Sequence, residues 1–192
     1  MKKTGLYFGS FNPIHVGHMA IANYLVEFSD LDQLWFVVSP QNPLKPKSSL
    51  LADYHRFELV RRAIGDSSLF LASNIEFNMP KPSYTIDSLT YLKEKYTDHE
   101  FVLIMGSDNL NSFHKWKNHE NIMSNHEIYV YPRPDFSSEK FSAEIPFKLF
   151  NAPLMEISSS FIRQSIKAGK NVSFFMPASV ANYVEEMHFY EK

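Results

Sequence analysis

The chain contains no cysteine, which excludes disulfides, zinc-thiolate sites and thiol nucleophiles together. That fits a reducing compartment, so a cytoplasmic location is expected. An excess of either charge is also missing: 19 Lys and Arg stand against 21 Asp and Glu, a formal net charge of -2. No global basic field exists to hold nucleic acid or an anionic membrane, and neither is expected as a partner. Any anion site must therefore be built locally. No apolar run approaches the roughly 18 residues that cross a bilayer. The stretch after Met1-Lys2-Lys3 is cut at once by Gly5, Gly9, Ser10, Asn12 and Pro13, unlike a signal peptide. Glycine is scarce as well, with six in 192 residues, and Gly5, Gly9 and Gly17 all fall near the N-terminus.

What is present is apolar material for one sizeable core, 44% hydrophobic and 15% aromatic residues. A single domain over residues 1–192 is expected, with a small C-terminal helical part at about 155–192. Leu6-Tyr7-Phe8 reads as a strand ending at Gly9, followed by helical spacing from Val16 through Ile21, Leu25 and Phe28. Leu34-Trp35-Phe36-Val37-Val38 has the composition of a strand covered on both faces. Asp53 is expected to cap a helix with Tyr54, Phe57, Val60 and Ile64 on one face, and Leu69-Phe70-Leu71 to form a third strand. Thr85 is expected to cap a helix carrying Ile86, Leu89, Tyr91 and Leu92. Phe101-Val102-Leu103-Ile104-Met105 and Ile128-Tyr129-Val130-Tyr131 supply two more strands. A Ser-rich helix start at Ser158 to Ser160 and a last helix through Val180, Tyr183, Val184 and Met187 close the chain. The alternation predicts an α/β fold, a doubly wound, Rossmann-like parallel sheet with helices on both faces. Ligands bind such sheets at the carboxyl ends of the strands.

Two segments carry the chemistry. Gly9-Ser10-Phe11-Asn12-Pro13-Ile14-His15-Val16-Gly17-His18 sits where the first strand turns into the first helix, the phosphate position of a nucleotide-binding fold. It has neither GxGxxG spacing nor a P-loop ending. His15 and His18, three apart on the first turn, can point at one ligand beside the free amides of the helix N-terminus. Gly9 would permit close backbone approach and Gly17 would remove an obstructing side chain. The second segment, Ile157-Ser158-Ser159-Ser160-Phe161-Ile162-Arg163, is a serine-rich helix start with an arginine one turn in: hydroxyls and amides donate, and the guanidinium adds charge and a planar fork.

Together these segments resemble the HxGH and ISSTxIR signatures of the nucleotidylyltransferase superfamily, with Ser160 in place of Thr. Within it, Ser83-Tyr84-Thr85-Ile86-Asp87-Ser88-Leu89, Gly106-Ser107-Asp108 with Trp116, Arg133-Pro134 and the closing Met176-Pro177, Val180, Tyr183 and Phe189-Tyr190 resemble the bacterial nicotinate-nucleotide adenylyltransferase family. Asn12 departs from the family's commoner Asp. Leu44, in Pro43-Leu44-Lys45, departs from its Pro-His-Lys.

The resemblance implies transfer of AMP from ATP to nicotinate mononucleotide, giving the deamido dinucleotide and pyrophosphate for NAD biosynthesis. His15, His18 and Arg163 would be catalytic. Gly9, Ser10, Phe11, Gly106, Asp108, Ile157, Ser158, Ser159 and Ser160 would join them in binding ATP. Lys45, Tyr84, Thr85, Trp116 and Arg133 would bind the mononucleotide. Physically, a helix start near Thr85 offers amides and a positive dipole end to the pyridine carboxylate, and Trp116 a face for stacking. Asp108 is placed to accept from ribose hydroxyls or to cap the next helix. Magnesium is expected to arrive bound to ATP, since the sequence shows no carboxylate cluster for a metal cage. Oligomeric state stays open, a homodimer included. The alternatives are a superfamily enzyme acting on nicotinamide mononucleotide or another phosphorylated acceptor, and a non-catalytic nucleotide sensor.

Overall fold

Apolar runs buried on both faces form the central strands. The computed structural model describes residues 1–40, 50–134, 141 and 144–192. Strands β1 (Lys2–Gly9), β2 (Gln33–Val38), β3 (Phe70–Ser73), β4 (His99–Gly106), β5 (Ile128–Tyr131) and β6 (Lys148–Leu149) make one sheet in the order β3-β2-β1-β4-β5-β6. Every neighbouring pair is parallel. The helices are α1 (Val16–Phe28), α2 (Asp53–Ile64), α3 (Thr85–Lys95), α4 (His119–Asn125), α5 (Ser159–Lys167) and α6 (Ala178–Glu186). This is the expected α/β, Rossmann-like class.

Successive strand residues divide between the two faces. Trp35 and Val37 join Leu6, Leu103 and Val130 under α3 and α4, whereas Phe36 and Val38 join Tyr7, Ile104 and Tyr129 on the side of α1, α2, α5 and α6. Each fully buried side chain of this size stabilises the fold by about 1.5–3 kcal/mol relative to exposure. Ile162, Val172, Met176, Val180, Val184 and Phe189 belong to the second of these layers. The 155–192 part therefore shares the core of the sheet.

Several local expectations are corrected. Asp53 and Thr85 are not caps: Ala52 and Tyr84 occupy those positions, and Asp53 and Thr85 open their helices. Asp53 instead accepts from Arg56 at 2.6 Å and Lys81 at 3.2 Å. Tyr54, Tyr91, Phe28 and Met187, expected on apolar faces, are exposed. Phe28 stacks on Tyr24 with ring centroids 4.7 Å apart and still remains exposed. The two-residue strand β6 carries no periodicity of its own and was not expected.

The sheet order reverses beside β1, whose other neighbour is β4. Crossovers depart in opposite directions there, so a crevice opens beyond Gly9 and Gly106, the last residues of these strands.

Candidate active site

The loop from β1 to α1 is shaped by ring packing. Phe11 adopts a left-handed backbone conformation with φ 45 and is buried. Its ring lies where a side chain on Gly9 would be, 2.7 Å from an added Cβ. Gly17 likewise makes room for the His15 ring, 3.1 Å from an added Cβ. These glycines admit the protein's own rings, a closer constraint than the ligand approach expected from sequence. Gly106 vacates space for Asp108 and Arg133 in the same way.

His15 is the N-cap of α1, one position before the helix begins, and is buried. Its backbone amide donates to Nδ1 of His18 at 3.2 Å. That bond requires Nδ1 to be unprotonated, so His18 is the neutral tautomer with its proton on Nε2, a donor. The imidazoles lie with centroids 3.7 Å apart and planes 31° apart. Burial first, and the Arg133 guanidinium second, push the His15 pKa down to about 4. His15 is therefore neutral near pH 7. Its Nδ1 is buried at the start of α1, where the side chains of His15 and His18 face each other's backbone amides in a capping-box arrangement.

The second signature docks on the first. Arg163 Nη1 donates to the Asn12 carbonyl at 2.9 Å, and Ser159 Oγ donates to the Pro13 carbonyl at 2.9 Å. Ser158 caps α5, accepting from the Phe161 amide at 3.2 Å, and Ser160 Oγ accepts from Arg163 at 3.3 Å. Ile157, which leads into this turn, packs against the core. Asn12, the departure from the family pattern, accepts at Oδ1 from the Leu51 amide and the Tyr190 hydroxyl, at 3.2 and 2.8 Å. A carboxylate could accept both bonds equally, so the exchange preserves the junction.

Asp108 stands second in the 3-10 run Ser107–Lys115, and Gly106 holds the cap position. Arg133 Nε is 3.9 Å from the Asp108 carboxylate, and the Arg133 amide donates to buried Ser107 Oγ at 2.9 Å. Arg133 thus lies toward His15 and Asp108. Trp116, half-buried, packs on Phe113 with centroids 5.3 Å apart. Lys117 reaches back to Asp87 at 2.8 Å and lies 4.9 Å from the Tyr84 ring, bringing Trp116's segment to the start of α3. That start has no side-chain cap, because Tyr84 lacks a suitable oxygen, and its first amides have no intrahelical acceptor. Ser10, half-buried, lends its carbonyl to Arg56. Lys45, with Pro43 and Leu44, lies outside the described residues.

Sequence reasoning missed Arg56. Fully buried, it donates to the carbonyls of Leu51, Ser10, Ser39 and Pro40 and to Asp53. It pins the loops leaving β1 and β2. A signal was available, since Arg56 lies three and four residues before Leu59 and Val60, inside an apolar stripe.

A parallel sheet with a histidine pair at one helix start and a serine–arginine turn locked against it defines a nucleotidyltransferase-type site. The cytidylyltransferase-like family model matches residues 6–165. A Flavobacterium johnsoniae protein described as "probable nicotinate-nucleotide adenylyltransferase" is 53% identical over 99% of this chain and 100% of its own. A Bacteroides fragilis protein of the same description is 47% identical over 93% of this chain and 89% of its own. The chain belongs to the nicotinate-nucleotide adenylyltransferase family. The fold is that of the Plasmodium falciparum nicotinic acid mononucleotide adenylyltransferase solved with NaAD, with TM-score 0.84 at 21% identity, covering 100% of this chain and 98% of that one.

Proposed function

We propose that the chain transfers AMP from ATP to nicotinate mononucleotide, releasing nicotinate adenine dinucleotide and pyrophosphate. The observation that supports this reading is the docking of Arg163 and Ser159 onto the Asn12-Pro13 backbone, which brings the two signature segments side by side. The names of the relatives support the same activity.

In the reaction, a phosphate oxygen of the mononucleotide forms a bond to the α-phosphorus of ATP. The bond from that phosphorus to the bridging oxygen breaks, and pyrophosphate leaves with the electron pair. The acceptor phosphate is already ionised, so no protein nucleophile or strong base is required. Catalysis is alignment and stabilisation of developing charge. His18 donates through Nε2 toward the α-phosphate and bridging oxygen, and His15 lines the triphosphate. Arg163 with Ser159 and Ser160 holds the departing phosphates, while Asp108 accepts from ribose. On the acceptor side, the uncapped start of α3 at Tyr84 and Thr85 takes the pyridine carboxylate and Trp116 stacks on the ring. Lys45 is assigned to the acceptor's phosphate on the resemblance alone. Arg133, beside Asp108 and Ser107, is assigned to the acceptor as well.

Among the described residues no group of three or more His, Asp or Glu converges as a ligand set. Magnesium would enter as a companion of the ATP phosphates. Among the described residues, no helix is long and apolar enough to cross a membrane.

Pyrophosphate release with ATP and nicotinate mononucleotide, run beside the nicotinamide form, tests the proposal. Turnover of the acid form well above the amide form is expected. Turnover of neither would overturn it.

A further inference from the structure

Glu76 lies in the 3-10 turn Ile75–Asn78 after β3 and is only 2% exposed. Its carboxylate is divided between two hydroxyls: Oε2 accepts from Ser83 at 2.9 Å and Oε1 from Ser88 at 2.6 Å. Ser83 and Ser88 are themselves buried. Ser83 immediately precedes the cap residue Tyr84, and Ser88 is the fourth residue of α3. One carboxylate therefore clips both ends of the first turn of α3.

Apart from this clip the turn is held by the Asp87 and Ser88 amides, which donate to the Tyr84 carbonyl, and by buried Ile86. Its cap residue contributes no side-chain hydrogen bond, in contrast to α5, where Ser158 caps its own helix. The segment leading into it, residues 79–83, has no regular structure. On the outer side Lys117 pairs with Asp87, but that pair is exposed and constrains little. The interior clip is different in kind, since hydrogen bonds to a buried carboxylate are strong and directional.

We infer that Glu76 is a positioning residue for acceptor recognition: by fixing Ser83 and Ser88 it orients the first-turn amides of α3 toward the pyridine carboxylate. This rests on the reading of α3 as the acceptor site. Glu76 has no part in holding ATP, whose contacts come from the β1–α1 loop, α5 and the end of β4. It also does not touch the acceptor, so its effect is confined to acceptor affinity and to the preference for acid over amide.

Steady-state kinetics of Glu76→Ala, Glu76→Gln and Ser83→Ala with both mononucleotides provide the test. Removing the carboxylate frees two buried hydroxyls and loosens the turn. Glu76→Ala is expected to raise KM for nicotinate mononucleotide about tenfold or more, leaving KM for ATP and kcat within about twofold. The acid-to-amide ratio of kcat/KM falls by a similar factor, because the amide form does not draw on the oriented anion site. Glu76→Gln accepts one hydroxyl and donates to the other, and restores most of the loss. Ser83→Ala, with half the clip intact, gives a smaller change of the same pattern and serves if Glu76→Ala folds poorly. Equal increases in both KM values, or an unchanged acid-to-amide ratio in folded variants, would overturn the inference. Failure of the unsubstituted protein to turn over nicotinate mononucleotide would instead strike the proposed function.

Discussion

The amide of His15 donates to Nδ1 of His18, so the backbone at the start of α1 dictates which nitrogen of the second histidine carries its proton. His18 is held as an Nε2 donor before any ligand arrives. His18→Ala is expected to lower kcat about 100-fold or more, the usual cost of deleting a donor aimed at developing charge. An unchanged kcat under saturating substrates would remove His18 from that role.

His15 makes acid stability pH-dependent. Its folded pKa of about 4 lies below the unfolded 6.5, so the unfolded chain takes up a proton between those values that the folded chain refuses. Stability is full above about pH 6.5 and declines as pH falls toward 4, by up to about 3 kcal/mol from this group. Urea midpoints of the parent and His15→Asn across that window check the point. The difference between the two curves isolates His15 from His126, whose pKa burial also lowers. Parallel curves would count against it.

Trp116→Ala should raise KM for the mononucleotide roughly tenfold and leave KM for ATP nearly unchanged, as loss of a stacking face predicts. Lys117→Ala should do the same on a smaller scale, within about fivefold, because the Lys117–Asp87 pair is solvent-exposed. Its effect should shrink further in high salt. If both substrates weaken equally, Trp116 is structural.

Arg56→Met keeps the bulk of the side chain and removes every donor. Four backbone carbonyls and Asp53 then lose their partner. A loss of about 3 kcal/mol or more is expected, a fall in Tm of roughly 6–12 °C for a chain of this size. Calorimetry would show it. A shift within 2 °C would mean that water replaces the guanidinium at little cost.

Much of this was legible in the residues because strands buried on both faces write themselves as continuous apolar runs, and the β1–α1 signature is a local string. Helix starts were read one residue late at Asp53 and Thr85, since both are equally at home at the cap and in the first turn. Glu76, and the partners of Arg56 though not its place in an apolar stripe, were hidden for another reason. A buried charge is stabilised by carbonyls and hydroxyls from other parts of the chain, and those partners have no fixed spacing from it. Lys148-Leu149 became a strand only because β5 offered an open edge, which the two residues could not announce.

The three glycines at positions 9, 17 and 106 have a consequence for how this sequence can change. Each is matched to a neighbour that occupies its missing side chain: Phe11, His15, and Asp108 with Arg133. A methyl group at Gly9 or Gly106 collides with a residue assigned to the site and one at Gly17 crowds the His15 ring, so the pairs are exchanged most readily together. Libraries that randomise one member at a time should recover the parent residue, whereas libraries that randomise Gly9 with Phe11 should yield compensated pairs such as a larger residue at 9 with a smaller one at 11.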